Sequence, residues 1–182
     1  MRLRNEGNMI RQAIIQDAAE IARIHVSAWQ AAYRGIVPQT YLDSLDIDAR
    51  RKRWVQNLEN ASNNIYVAED VSGMTGWIIF GPSRDEDIAE GHEINAIYVQ
   101  PKSWGMGIGK QLIYAAETIL LKAYQADITV WVFEDNFSSR SFYTKVGYTQ
   151  DGAKKVEDFA STQLTEIRFR KYVDKAAAQS VE

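Results

Sequence analysis

Residues Ile97–Glu117 read IYVQPKSWGMGIGKQLIYAAE: an apolar strand-like run, then Gly105, Gly107 and Gly109 at alternate positions, then a run with helical spacing. Glycines between a strand and a helix let backbone N–H groups converge on an anion at the positive end of the helix dipole, and phosphate is the leading ligand of that kind. The same glycines would also suit a tight turn packed on a sheet. Two nucleotide motifs fail on spacing. A Walker loop needs Ser or Thr after Gly109-Lys110, where Gln111 stands; a dinucleotide fingerprint needs G-x-G-x-x-G, whereas these glycines alternate. Neither ATP nor NAD is favoured.

Outward from this stretch the pattern is regular. Upstream, NIYVAE and MTGWIIFG are strand-like runs joined by Asp70–Gly73, which has turn chemistry and predicts a hairpin; HEINAIYV is the next strand. Downstream, a helix is predicted from about Gly107 to Ala123, then the strand DITVWVF, then a short helix over SSRSFYTKV ended by Gly147. Final strands are expected at Tyr148–Asp151 and Leu164–Arg170. Nearer the start, Asp17 with Glu20 reads as a capping box opening a helix over Ala18–Tyr33, and Ile47–Leu58 reads as a second helix. Its Arg50–Arg53 run is a solvated face rather than a binding patch. Antiparallel strands followed by strand–helix–strand imply an α/β architecture, a mixed and mostly antiparallel sheet flanked by helices.

With 182 residues, 46% of them hydrophobic, the chain suits one domain. That domain is expected over residues 9–173, between a flexible N-terminal tail (1–8) and a C-terminal tail (174–182), with Met9 as an alternative start. A net charge of −3 argues against nucleic-acid binding. The absence of cysteine removes disulfides, thiolate metal sites and a Cys nucleophile, and fits a reducing compartment. No apolar run approaches a membrane span or a signal segment, so a cytoplasmic protein without membrane or metal partners is expected.

The glycine stretch resembles the acyl-CoA-binding signature of the GNAT superfamily of N-acetyltransferases, in which a strand ending Tyr-Val is followed by x-Pro and then Arg/Gln-x-x-Gly-x-Gly/Ala. Tyr98, Val99, Pro101, Gly107 and Gly109 match; Trp104 stands at the Arg/Gln position. A second block, NFSSRSFYTKVGY, is similar to the family's Asn-x-x-small-x-x-Phe-Tyr-x-x-x-Gly-aromatic through Asn136, Ser139, Phe142, Tyr143, Gly147 and Tyr148. The N-terminal stretch from Ile10 looks like family members that begin Ile-Arg-x-Ala-x-x-x-Asp-Ala. The resemblance implies a sheet splayed between its fourth and fifth strands with the pantetheine of acetyl-CoA in the split. It implies cofactor contacts from Ile97, Tyr98, Val99, Trp104, Gly105, Met106, Gly107, Ile108, Gly109, Lys110, Asn136 and Tyr143.

The same resemblance makes Tyr143 the acid that protonates the leaving thiolate, with a core tyrosine as the bland reading. An ammonium must lose a proton before it attacks a thioester. Glu93 is the candidate base, placed by strand alternation on the face of Asn95, Ile97 and Val99; His92 and Glu134 are reserves, and His25 reads as an interior residue. The Val99 N–H is the natural oxyanion donor. Trp29, Tyr33 and Glu93 are expected to line the acceptor pocket, and Asp85, Glu86, Asp87 and Glu90 to attract a cationic amine. Acceptors from small polyamines and aminoglycosides to amino acids, protein N-termini and lysines stay open, as does a homodimer. The rival readings are a non-catalytic acyl-CoA sensor of the same fold and a nucleotide-binding protein.

Overall fold

A computed structural model describes residues 3–5, 8–60, 64–123, 126–159 and 162–173. Its strands are β1 (Leu3–Asn5), β2 (Asn8–Gln12), β3 (Asn64–Asp70), β4 (Gly73–Pro82), β5 (His92–Val99), β6 (Ile128–Phe133), β7 (Thr149–Phe159) and β8 (Thr162–Lys171). Its helices are α1 (Ala18–Ala32), α2 (Gln39–Asp43), α3 (Ile47–Glu59), α4 (Ile108–Ala123) and α5 (Phe137–Lys145). All strands join one sheet in the order β1-β2-β3-β4-β5-β6-β8-β7, parallel at β5–β6 and antiparallel elsewhere. None of the described helices is long and apolar enough to cross a membrane.

Local chemistry sets the element ends. In the β3–β4 hairpin the Asp70 carboxylate accepts from the Ser72 N–H at 2.7 Å, and Gly73 takes φ +115°. Asp46 caps α3 through the Ala49 N–H (2.6 Å), Asn136 caps α5 through the Ser139 N–H (3.0 Å), and Gly147 at φ +95° ends α5. The expected Asp17–Glu20 capping box is not made. Arg11, at the end of β2, binds both Asp17 oxygens at 2.7 and 2.9 Å, and the carboxylate accepts from the Ile14 N–H one turn earlier.

Three elements went unforeseen. β2 and the short α2 lack a strong period, and Leu3–Asn5, inside the segment expected to be a tail, pairs with β2. β7 runs to Phe159, well past Asp151. Residues 174–182, the expected C-terminal tail, lie outside the described residues.

Helices cover both faces. α4 and α5 bury Ile108, Leu112, Ile113 and Tyr143 against Ile78, Phe80, Ile94 and Val130, whereas α1 and α3 bury Ile21, Ile24 and Trp54 against Ile65, Val67 and Trp77. A third cluster at the far end joins Val37 and Leu42 to Phe133 and Leu164.

The feature that positions the site is the β5–β6 seam. Pairing there is confined to His92↔Ile128 and Glu93↔Thr129, while β5 stays paired to β4 as far as Val99 and β6 to β8 as far as Phe133. The two strands part after their first residues of ladder, which is the expected splay, one strand later in the count because Leu3–Asn5 is itself a strand.

Candidate active site

The wall of the split is built from backbone. The Gln100 N–H donates to the Thr75 carbonyl at 2.8 Å, directly opposite it, which makes this a hydrogen-bonded pair. By antiparallel alternation residues 97 and 99 fall at non-bonded positions, so their N–H and C=O groups point away from β4, into the space that β6 has vacated. A chain of amides laid in the split would find those groups waiting.

At its open end the split meets the glycine loop. Gly105 and Gly107 both take φ +79°, a conformation that L side chains rarely adopt. They turn the chain so that α4 begins at Ile108 with its first N–H groups, those of Ile108, Gly109 and Lys110, lacking intrahelical acceptors. Gly109 has a separate reason to be glycine: a Cβ there would meet the Phe142 ring at 3.2 Å, so its absence lets α5 close on α4. Ile108 is core and offers the split only its backbone, whereas Met106 and Lys110 are exposed. The Trp104 indole, 47% exposed, donates to the Val99 carbonyl at 2.8 Å, one of the groups facing the split. Asn136 is buried as the α5 cap.

Glu93 is not on the face expected. The register shifts between Ile79 and Phe80, which pair with Ala96 and Ile94, leaving Asn95 as a bulge. A bulge inverts the alternation on one side of it. Ile94, Ile97 and Val99 therefore share the α4 face, and Glu93 goes with Ala96 and Tyr98 to the α1 face. Its side chain is 1% exposed. Arg84 donates to one oxygen from Nε at 2.9 Å and from its backbone N–H at 3.3 Å, and to the other from Nη2. His92 takes the opposite face, and Glu134 stands on the rim paired to Lys154 at 2.7 Å.

Tyr143 crosses between the two sides. Its ring is buried on the α4 side, and among the described residues its hydroxyl has no hydrogen-bond partner. Burial first, and the nearby Tyr33 phenol second, push its pKa well above the ordinary value near 10. Tyr33 comes from α1's end and shares a hydrogen bond with the Tyr98 hydroxyl at 3.2 Å. Burial raises both of those phenols too. The structure thus joins the Tyr33 and Tyr98 hydroxyls, with the Tyr143 phenol near enough for its charge to be felt at Tyr98. Trp29 and Tyr33 are half-buried in an aromatic wall with Phe133, Tyr41 and Phe159. His25 is interior: its Nδ1 accepts from the Trp54 indole at 3.3 Å, its ring stacks on Tyr98, and burial holds its pKa down to about 3.

The acidic loop does less than expected. Asp85 and Asp87 bind the buried Arg168 at 3.1 and 2.6 Å, with Asp151 on its third side at 2.7 Å, so they fasten the loop to β8. Glu86 and Glu90 line a cleft of about 1020 Å³ with His92, Leu120, Asp127 and Arg170, at the far end of α4 from the glycine loop. Arg84, Arg168 and Glu166 are site neighbours that sequence reasoning missed. Only the Asp-rich loop itself signalled that a cation would be needed.

A strand pair opened so that backbone groups face the gap, a glycine-turned helix N-terminus at its mouth and a buried phenol without a hydrogen-bond partner among the described residues suit an acyltransferase that takes its acyl group from coenzyme A. A family model described as "Acetyltransferase (GNAT) family" matches residues 18–148, and the chain belongs to that family. It is an acetyl-CoA-dependent N-acetyltransferase. It is 33% identical over 150 residues to a probable N-acetyltransferase of Mycobacterium tuberculosis, covering 79% of this chain and 80% of that one. To spermidine N(1)-acetyltransferase of Thermoplasma acidophilum it is 25% identical over 150 residues, covering 82% and 89%. An N-acetyltransferase from T. acidophilum crystallised with coenzyme A shares the fold at a TM-score of 0.68 and 24% identity, covering 91% of this chain and 98% of that one.

Proposed function

We propose that the chain moves the acetyl group of acetyl-CoA to a primary amine by direct attack within a ternary complex. The observation that carries this is the split, in which the backbone groups of residues 97 and 99 point away from β4 into the space left by β6; the buried Tyr143 phenol, without a hydrogen-bond partner among the described residues, supports it. The amine nitrogen bonds to the thioester carbon, and the Val99 N–H meets the oxyanion that forms. The intermediate collapses by breaking the C–S bond, the sulfur takes the Tyr143 proton, and the surplus proton on the new amide nitrogen is released and restores the phenol.

Glu93 receives the proton that the ammonium must lose. Arg84 fills three of the about four lone-pair positions of the carboxylate. Transfer through a water to the remaining one suits a carboxylate at the closed foot of the split better than direct contact. The acceptor enters on the α1 side, along the wall of Trp29, Tyr33 and Phe133. A small-molecule amine, as in the spermidine-acetylating relative, fits this entry, and a protein N-terminus or lysine is the alternative acceptor. The absence of cysteine is consistent with work in the cytoplasm.

The test is a panel of polyamines, aminoglycosides, amino acids and peptide N-termini with acetyl-CoA, monitored by free thiol. Amine-dependent release with at least one class is expected; acetyl-CoA hydrolysis independent of any amine would overturn the reading.

A further inference from the structure

We propose that Glu166 and the Trp131 ring form a subsite for an ammonium group of the acceptor, filled in the free protein by the chain's own Lys155. This rests on the reading that the acceptor is an amine.

Register places the parts. Phe133, Glu166 and Lys155 are successive partners across β6, β8 and β7, so they share a face, the one toward α1. Phe133 ends the strand that borders the split, and its ring packs on Tyr33 at 5.2 Å between centroids. Glu166 therefore stands one strand, about 4.8 Å, behind the wall of the split. Its charge is felt at both the Tyr33 phenol and Arg84.

The occupant shows what the subsite accepts. Lys155 is rooted two strands from the split but leans back over β6: its Nζ lies 2.9 Å from the Glu166 carboxylate and 4.6 Å from the Trp131 ring centroid. A carboxylate on one side and an indole face nearby are the two groups that hold an alkylammonium. Trp131 is fixed for this, since its Nε1 donates to Asp85 at 3.0 Å. Glu157 adds a second carboxylate 3.6 Å from the same ammonium.

Two features make the occupant replaceable. Lys155 is 36% exposed and Glu166 18% exposed, whereas Glu93 is 1% exposed and locked by Arg84, so a solute reaches Glu166 more readily than Glu93. The surroundings also favour a cation: Arg84, Lys155 and Arg168 face Asp85, Asp87, Glu93, Asp151, Glu157 and Glu166, three positive charges against six negative. The class that uses both the subsite and the split is a diamine or polyamine, one ammonium held at Glu166 while a second nitrogen attacks the thioester.

The probe is 1,4-diaminobutane, titrated calorimetrically without acetyl-CoA into the parent, Lys155→Met, Glu166→Gln and the double variant, with melting curves as a folding control. Lys155→Met keeps an aliphatic chain on Trp131 and removes the tethered competitor. It should tighten binding roughly two- to fivefold, the worth of a half-exposed ion pair, and the gain should fade with salt. Glu166→Gln should weaken binding, and the double variant should bind no tighter than the parent. Unchanged or weaker binding by Lys155→Met, no detectable heat with any variant, or tight binding that survives in the double variant overturns the subsite. Thiol release separates the two readings: monoamine turnover without any diamine preference overturns the subsite alone, and diamine binding without turnover overturns the proposed reaction alone.

Discussion

Replacing Tyr143 by phenylalanine removes one oxygen and nothing else from the packing. The ring is 5% exposed, and its hydroxyl leaves no stranded partner among the described residues, so stability should change by less than about 1 kcal/mol. The catalytic loss follows from acidity. An ordinary thiol has a pKa of about 8.5, and burial with Tyr33 holds the Tyr143 phenol well above 10. Passing a proton from phenol to free thiolate is thus uphill by at least about 1.5 units, or ~2 kcal/mol. The phenol helps only as the C–S bond breaks and the sulfur gains basicity. We therefore expect kcat to fall by about 10²-fold, the lower end of what a positioned acid contributes. Affinity for acetyl-CoA, measured by calorimetry, should stay within about twofold, because the ring still packs. The raised pKa keeps the phenol protonated through pH 10, so the parent should show no alkaline loss of kcat from Tyr143. A folded Phe variant whose kcat, by thiol release, lies within about threefold of the parent would refute the assignment.

Gly107→Asp should raise the Kd for acetyl-CoA by at least ~30-fold: a Cβ there meets nothing within 4 Å, so the loss comes from the φ of +79° and from a carboxylate beside phosphate rather than from a clash. Unchanged affinity in a folded variant would sink the phosphate-loop reading. Glu93→Gln should lower kcat/KM by roughly 10²–10⁴-fold at neutral pH, with the loss shrinking as rising pH supplies free amine; a pH profile parallel to the parent's moves the role to Glu134, His92 or solvent. Arg168→Met strands the buried Asp151, leaves the half-buried Asp85 with only its Trp131 donor and frees the exposed Asp87 to water, so Tm should fall measurably. A melting curve that does not move would mean the three carboxylates are solvated independently of Arg168.

The hairpin and the helices other than α2 were legible because their signals are local. The α3 and α5 caps at Asp46 and Asn136, the positive φ of Gly73 and Gly147 and the glycine loop all act within a few residues of themselves. Asp17 misled because its partner came from elsewhere: a capping motif assumes a free carboxylate, and Arg11 had already bound it. The acidic loop misled for the same reason, since Arg168 lies 81 residues from Asp87 in sequence. Charges read as a field for substrate are paired by a cation that no local pattern announces. Glu166 and Lys155 were invisible because they meet only through the β7–β8 register, and β7 itself was read too short.

The bulge at Asn95 is the omission with the largest functional consequence, because a strand has only two faces and β5 must serve three directions. With strict alternation Glu93 would point with Ile97 and Val99 into the packing under α4. One extra residue turns Glu93 to the side of Tyr98, toward α1 and the aromatic wall of Trp29, Tyr33 and Phe133, and moves Ile94 to join Ile97 and Val99 in holding α4. The third direction is in the sheet plane, where the backbone groups of residues 97 and 99 face the split because β6 has departed. Helix anchor, acceptor side and acyl-carrier track are thus three outputs of eight residues. One residue inserted between Ile79 and Phe80 would give Asn95 a partner and restore strict alternation along β5, whereas deleting Asn95 would only remove the unpaired residue and leave Glu93 on its present face. The insertion should move Glu93 to the face of Ile97 and Val99 under α4, where a carboxylate finds apolar neighbours, and a drop in Tm together with lost turnover is the expected result. An insertion variant that melts and turns over like the parent would show that the bulge does not set which side of the sheet Glu93 serves.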